Sequence, residues 1–177
     1  MNLPNKLTIS RIVLIPVFVI LVMGGRPVLA LLAFALACLT DALDGIIARV
    51  RGQKSKLGAY LDPIADKLLI NTSFITLAVM KRIPSWIAII IISRDVLIVL
   101  GVSLMTIMEE QVVIAPTLIS KSTTTAQMTT LLVALVDLWR GGLATVLVIL
   151  IWISALLTVL SGLDYLLIAA RTVHERA

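Results

Sequence analysis

Cysteine and histidine are nearly missing from this chain. Its 177 residues include one of each, Cys38 and His174. A single cysteine excludes an internal disulfide. Zinc sites are built mostly from several cysteine or histidine ligands, so the composition also argues against a zinc centre.

Charged residues are scarce as well, at 14% of the chain, where soluble domains have roughly 25%. Hydrophobic residues make up 60%, and the mean hydropathy is +1.11. A membrane-spanning helix needs about 20 mostly apolar residues, so six such helices would use most of the chain. The sequence therefore predicts an all-α fold: one integral membrane domain, residues 1–177, with six transmembrane helices.

Turn residues and charged segments divide the chain into these helices. We expect a short amphipathic segment over residues 1–10 before the first helix. The predicted helices are 11–23, 28–48, 57–79, 85–108, 117–138 and 143–170. Glycine and proline mark the first turn, at 24–27. A basic loop, 49–56, separates helices two and three.

The net charge of +5 has an explanation that needs no nucleic acid. Lysine and arginine gather in the cytoplasmic loops of membrane proteins. If both termini lie on one side, that side also holds the 49–56 loop and most of the basic residues. We therefore predict a bacterial-type inner-membrane protein with both termini on the cytoplasmic side, and no nucleic acid among its partners.

Four aspartates interrupt the apolar segments on either side of the basic loop. They are Asp41 and Asp44 in helix two, and Asp62 and Asp66 in helix three. Spacings of three and four residues place each pair on one helical face, and the short loop makes the two helices antiparallel neighbours. A charge at the bilayer centre costs roughly 2.5–3.5 kcal/mol, and four adjacent carboxylates repel one another. Bound cations would relieve both problems, and oxygen ligands suit Mg²⁺ or Mn²⁺, with Ca²⁺ also open. The cytoplasmic loop lies a few helical turns away, so the site should open to the cytosol.

Small residues accompany the acids. Gly45 follows Asp44, Ala48 lies one turn further on, and Gly58 lies one turn before Asp62. Such residues can serve close helix packing. Together with the guanidinium of Arg49, they also suit a cavity that admits a flat or phosphorylated ligand.

This arrangement resembles the signature of the CDP-alcohol phosphatidyltransferases, and every fixed position is filled. The matching pattern is Asp41-x-x-Asp44-Gly45-x-x-Ala48-Arg49, eight residues, then Gly58-x-x-x-Asp62-x-x-x-Asp66. Length and helix number agree, so the resemblance covers essentially the whole chain. It implies metal-dependent transfer of a phosphatidyl group from CDP-diacylglycerol to an alcohol, with release of CMP. It also implies a homodimer.

The resemblance implies residue roles as well. Two Mg²⁺ or Mn²⁺ ions would be held by Asp41, Asp44 and Asp62. Asp66 would be the base for the acceptor hydroxyl and a further metal ligand. The CDP-lipid pocket would be formed by Gly45, Ala48, Arg49 and Gly58.

A second element lies at the amino terminus. Asn5, Thr8 and Arg11 resemble the N-x-x-T-x-x-R element of members that use CDP-diacylglycerol. This would place Thr8 in the CDP-lipid pocket, near the nucleotide. Thr8 could equally cap helix one.

Two further cations favour an acceptor that carries a phosphate. Arg94 lies beside Asp95 in helix four, where the two could simply form an ion pair. Arg94 could instead bind an anionic acceptor, because a guanidinium matches phosphate geometry. Lys121 could be a lysine that reaches the headgroup level, or a second cation of the acceptor site.

Two acceptors stay open. The 120–127 run resembles members that use glycerol 3-phosphate, although Thr123 replaces a second lysine. Residues 92–95 and 116–121 resemble eukaryotic-type cardiolipin synthases, which use phosphatidylglycerol. Compact bacterial chains of this pattern more often use glycerol 3-phosphate, so we expect that acceptor first.

A divalent-cation transporter is a remote alternative. It would also need intramembrane carboxylates. It would not need Gly45, Arg49 and Gly58 at these spacings, and it often has inverted repeats, which this sequence does not display.

Overall fold

The structure is all-helical in the part of the chain that it describes. This computed structural model describes the backbone of residues 3–51, 56–107 and 118–174, and the side chains of residues 10–40, 64–101 and 118–167. Six helices and no strand lie within those ranges. The predicted fold class is confirmed at that level.

The helix bounds follow the sequence pattern closely. The helices are α1 Leu3–Met23, α2 Pro27–Arg51, α3 Lys56–Val79, α4 Ser85–Ile107, α5 Leu118–Arg140 and α6 Ala144–His174. Five of them lie within a few residues of the predicted bounds. The amino terminus differs, because residues 3–10 form the first turns of α1 rather than a separate segment. Pro4 permits this, since proline's missing N–H is tolerated in a first helical turn.

Two of the turns use the same helix cap. After α1, Gly25 has a φ of 67° and the Arg26 N–H donates to the Leu21 carbonyl at 2.9 Å. After α3, Lys81 takes the same left-handed conformation, with a φ of 56°. This is the Schellman arrangement, which satisfies terminal carbonyls while the chain reverses. The reversals place α1 against α2, and α3 against α4.

The core lies between the helices. α1 packs on α2 and α3, α5 packs on α2 and α6, and α4 packs on α3 and α6. Phe18 and Phe34 meet between α1 and α2, with ring centroids 5.8 Å apart. Phe74 and Leu131 are fully buried on α3 and α5. Both helices that carry the four aspartates therefore share α1 as a neighbour.

Large apolar side chains also cover much of the outside of the bundle. Ile20, Leu32, Val79, Ile89 and Trp152 are each more than half exposed, and they lie on five different helices. An apolar outer surface of this extent marks contact with lipid or with another protein.

One stretch of α6 is long and apolar enough by itself to cross a membrane. It is Ala144–Leu167, and the search covers the described residues only. Ser10–Met23 and Pro27–Thr40 are apolar but shorter. By this criterion the structure supports one spanning helix, and the six-span arrangement stays a prediction.

A seam of buried polar side chains joins α5 to α6. Gln127 Nε2 donates to Thr158 Oγ1 at 3.0 Å, and the hydroxyl oxygens of Thr130 and Ser154 are 2.8 Å apart. Thr123 Oγ1 donates to a carbonyl of α6 at 3.1 Å. Such interhelical bonds contribute roughly 0.6–2 kcal/mol each in membrane proteins. They fix the register of the two helices.

Phe74→Ala should destabilise the bundle strongly. Truncating a fully buried phenylalanine typically costs about 3–5 kcal/mol, because the cavity collapses only partly. The matched control is Ile75→Ala on the same helix, where the side chain is 45% exposed, and the expected loss is below about 1 kcal/mol. Thermal unfolding of both variants in one detergent measures the difference. Equal losses would contradict the core assignment.

Candidate functional site

The predicted metal ligands lie at matching heights on α2 and α3. At 1.5 Å per residue, Asp41 lies about 15 Å before the end of α2, and Asp66 lies about 15 Å after the start of α3. Asp44 and Asp62 lie at about 10 Å and 9 Å from the same two helix ends. The backbone therefore places Asp41 and Asp66 at one distance, and Asp44 and Asp62 at another, from the end of α2 and the start of α3.

The side chains of most predicted site residues lie outside the described residues. These are Asp41, Asp44 and Asp62 among the metal ligands, and Thr8, Gly45, Ala48, Arg49 and Gly58 in the CDP-lipid pocket. Within the searched part of the chain, no group of three His, Cys, Asp or Glu side chains could hold a metal ion. That search does not reach three of the four predicted ligands, so the metal site stays a prediction.

Asp66 is the predicted metal ligand whose side chain the structure describes. It is half-buried, and its Oδ1 atom is shielded from solvent. Leu69 and Ile70, three and four residues further on, are buried, whereas Ile64 and Leu68 are 52% and 46% exposed. Asp66 therefore lies on the inward face of α3, as a ligand of an internal cavity should.

A fully buried arginine lies at a similar height on α1. Arg11 is 0% exposed. It lies about 18 Å before the end of α1, and Asp41 lies about 21 Å after the start of α2. Because α1 packs on both α2 and α3, a permanent positive charge lies at the level of the acids. Buried arginines are rare unless they are paired, so Arg11 fits an anionic site, a role that the sequence did not assign to it.

Arg94 is another buried arginine, and it is held by three helices. Nη1 donates to Asp95 Oδ1 at 2.8 Å, and Nη2 donates to Ser120 Oγ at 3.0 Å and to Ser161 Oγ at 2.5 Å. The guanidinium carbon lies 5.7 Å from the centre of the Tyr165 ring, within range of a cation–π interaction. Arg94 thus links α4 to α5 and α6.

Asp95 extends this network to α3. Lys67 Nζ donates to Asp95 Oδ1 at 2.5 Å, and Asn71 Nδ2 donates to Asp95 Oδ2 at 3.2 Å. Arg94 and Asp95 form the expected ion pair, and acceptor binding by Arg94 stays a prediction. One carboxylate therefore accepts hydrogen bonds from three donors, and one of the three, Lys67, is the neighbour of Asp66 in the chain.

Lys121 lies apart from this network in the described structure. It is exposed, and it lines a groove of about 420 Å³ with residues of α5 and α6 such as Thr125 and Leu150. Arg94 bonds instead to the preceding residue, Ser120. A joint phosphate pocket of Arg94 and Lys121 therefore stays a prediction.

Three members of the network were missed from the sequence: Asn71, Ser120 and Ser161. A signal existed for Ser161, because Ser154, Thr158 and Ser161 recur at intervals of four and three residues. That is the spacing of one helical face, and it predicts a polar stripe on α6. Asn71 has no comparable pattern.

Known proteins match this chain over most of its length. A probable phosphatidylglycerophosphate synthase of Mycobacterium tuberculosis is 35% identical over 179 residues, which cover 97% of this chain and 83% of the relative. The CDP-diacylglycerol–glycerol-3-phosphate 3-phosphatidyltransferase of Haemophilus influenzae is 38% identical over 174 residues, with coverage of 95% and 93%. A CMP-forming cardiolipin synthase of Rattus norvegicus is 47% identical over 102 residues, which cover 57% of this chain and 34% of the relative.

Comparison with protein families gives a match that extends well beyond the aspartate motif. The model of one enzyme family matches residues 1–160. That range includes every predicted site residue, from Thr8 to Lys121. A match of this length shows that the chain belongs to the CDP-alcohol phosphatidyltransferase family.

Proposed function

We propose that this enzyme transfers the phosphatidyl group of CDP-diacylglycerol to glycerol 3-phosphate and releases CMP. The observation that carries this proposal is the set of relatives matched along nearly their whole length. Enzymes named CDP-diacylglycerol–glycerol-3-phosphate 3-phosphatidyltransferase from Haemophilus influenzae and Bacillus subtilis are 38% and 35% identical, with 93% of each relative covered.

Asp41, Asp44, Asp62 and Asp66 are proposed to hold two Mg²⁺ or Mn²⁺ ions. The donor set suits such ions, because it offers carboxylate oxygens only and its described member, Asp66, lies on an inward helix face. When bound, these ions neutralise charge on the diphosphate and on the leaving CMP. The neighbouring CDP-lipid pocket is proposed to consist of Thr8, Gly45, Ala48, Arg49 and Gly58.

Asp66 is proposed to act as the general base. The acceptor hydroxyl oxygen bonds to the phosphorus that carries the diacylglycerol, and the bond from that phosphorus to the CMP oxygen breaks. The hydroxyl proton moves to an Asp66 carboxylate oxygen. A positioned base typically contributes about 10²–10⁴-fold to the rate. The inward orientation of the Asp66 side chain supports this role.

Arg94 and Lys121 are proposed to bind the acceptor phosphate. A guanidinium has five N–H groups, and the hydrogen bonds to Asp95, Ser120 and Ser161 engage three of them. Nε is buried and has no hydrogen-bond partner within the described structure. Nε–H and one Nη1–H therefore have no protein acceptor within the described structure, and they are the groups proposed to bind the phosphate oxygens. Lys121, exposed on α5, would attract the anion.

The enzyme is proposed to span the inner membrane six times as a single domain, residues 1–177. Both termini and the active site would face the cytoplasm, and two copies would form a homodimer. The apolar side chains on the outer surface of α1–α4 and α6 support contact with lipid. The basic residues near the termini and at 49–56 support the orientation.

Cardiolipin synthesis is the second candidate, with phosphatidylglycerol as acceptor. One observation favours it: CMP-forming cardiolipin synthases of Rattus norvegicus and Homo sapiens are 47% and 45% identical over 102 residues. That identity exceeds the values of the full-length matches, although it covers only 57% of this chain.

An acceptor assay separates the two candidates. Purified enzyme in detergent receives CDP-diacylglycerol, Mg²⁺ and either radiolabelled glycerol 3-phosphate or radiolabelled phosphatidylglycerol. We expect glycerol 3-phosphate to be consumed, with one CMP released for each lipid formed. Inositol, offered as a neutral acceptor in a parallel reaction, should not react. Consumption of phosphatidylglycerol alone would replace the proposal with cardiolipin synthesis.

A further inference from the structure

The position of Arg94 depends first on its contacts with α6. Arg94 is 7% exposed, and its stem lies against α6, where a Cβ on Gly162 would lie 3.6 Å from Arg94 Cγ. Ser161 Oγ receives the shortest of the guanidinium's hydrogen bonds, at 2.5 Å. A long, flexible side chain is therefore fixed from the α6 side.

Asp95, the next residue of α4, fixes the same guanidinium and is itself bonded to α3. The carboxylate is 12% exposed, and it accepts hydrogen bonds from Arg94, Lys67 and Asn71. Charge-assisted hydrogen bonds of this kind are roughly twice as strong as neutral ones. Because Lys67 directly follows Asp66, the carboxylate ties Arg94 to the helical turn that carries the proposed base.

We propose that Asp95 and Ser161 are positioning residues for the acceptor site. They hold the Arg94 guanidinium at a fixed place relative to Asp66, so that its two remaining N–H groups meet the acceptor phosphate while the hydroxyl faces the base. This inference rests on the proposed function. It adds that neither Asp95 nor Ser161 touches the substrate, and that both act through Arg94.

The physical reason is preorganisation. An arginine side chain has high rotamer entropy, and an acceptor that had to order it would bind more weakly for that reason. Removing one holding group should therefore weaken acceptor binding. It should leave the binding of CDP-diacylglycerol, which does not depend on Arg94, nearly unchanged.

The test compares five variants with the wild type, using KM values for both substrates. Asp95→Asn should raise the KM of the acceptor about tenfold or more, as expected when a hydrogen bond between charged groups is lost. Its KM for CDP-diacylglycerol should stay within about twofold. Asp95→Glu keeps the carboxylate and should restore most of the acceptor affinity. The matched control is Asp137→Asn, at an acid that instead accepts from the Leu143 N–H at 2.8 Å and should behave as wild type.

Ser161→Ala removes one hydrogen bond from the guanidinium to a hydroxyl and should raise the acceptor KM about fivefold. Its control, Ser154→Ala, removes a hydroxyl from the same face of α6 that bonds to Thr130 rather than to Arg94, and should leave both KM values unchanged. If Asp95→Asn does not fold, as judged by gel filtration, this serine pair decides alone.

Failure of the positioning role and failure of the proposed function give different results. Equal rises in both KM values, or no difference between Ser161→Ala and Ser154→Ala, would overturn the positioning role while the proposed function stands. A wild-type enzyme that consumes phosphatidylglycerol replaces the acceptor, and the KM comparison is then made with that lipid. A wild-type enzyme that releases no CMP with either acceptor overturns the proposed function, and the positioning role falls with it.

Discussion

Asp66→Asn should lower the rate of CMP release by about a thousandfold while CDP-diacylglycerol still binds. An amide has nearly the shape of a carboxylate but cannot take the hydroxyl proton, and loss of a general base typically costs about 10²–10⁴-fold. The half-buried Asp66 side chain lies on the inward face of α3, so the substitution changes charge and basicity inside the bundle rather than on its apolar outer surface. CMP release is measured by chromatography, and binding is measured by displacement of a labelled CDP-lipid.

The matched control is Asp137→Asn, which makes the same chemical change far along the chain from the four aspartates. It should retain full activity, because an amide oxygen can still accept the bond from Leu143. Full activity of Asp66→Asn would contradict the proposal that Asp66 is the general base. Complete loss of CDP-lipid binding in that variant would show that Asp66 acts only in holding the substrate.

Chelation by EDTA should stop the reaction completely, and Mg²⁺ or Mn²⁺ should restore it. Four carboxylates that converge on one site, as proposed, repel one another unless cations lie between them. The same ions should also stabilise the fold, because a ligand that binds only the native state adds about 2.7 kcal/mol when it is present at a hundred times its Kd. Activity and thermal unfolding, each measured with and without the ions, test the two effects separately.

The stabilisation of the fold by metal is tested with a pair of variants. Asp41→Asn removes a predicted ligand and should lose most of the metal-dependent rise in melting temperature, whereas Asp137→Asn should keep it. Undiminished activity after exhaustive dialysis against EDTA would contradict the metal site. The metal site would also be contradicted if neither ion changed the melting temperature of the wild type.

The helical architecture could be predicted from the sequence because its signals are local. The lengths of the apolar runs and the glycines of the turns are enough to locate five of the six helices within a few residues. The predicted start of α1 was wrong. Pro4 and Asn5 suggested a separate segment before the helix, although a proline near a helix start does not interrupt any hydrogen bond. The inward orientation of Asp66 could also be predicted from the sequence, since the apolar residues Leu69 and Ile70 share its helical face.

The network around Asp95 could be predicted only in part. The ion pair with Arg94 joins adjacent residues, so the dipeptide itself suggested it. The bonds from Lys67 and Asn71 cross 28 and 24 positions of the chain. Pairings at that range depend on how α3 and α4 pack, and helical periodicity does not encode the relative rotation of two helices.

The hydroxyl groups of α5 bear on how the chain enters a bilayer. Ser122, Thr125 and Thr129 are exposed, and each donates to the carbonyl four residues earlier at 2.8–3.0 Å. Polar groups satisfied within their own helix cost less to dehydrate. The inner face of α5 instead relies on α6, through Gln127 and Thr130. If both helices span the membrane as proposed, they should therefore leave the translocation machinery together, as a hairpin in which the strongly apolar α6 carries its more polar partner into the lipid.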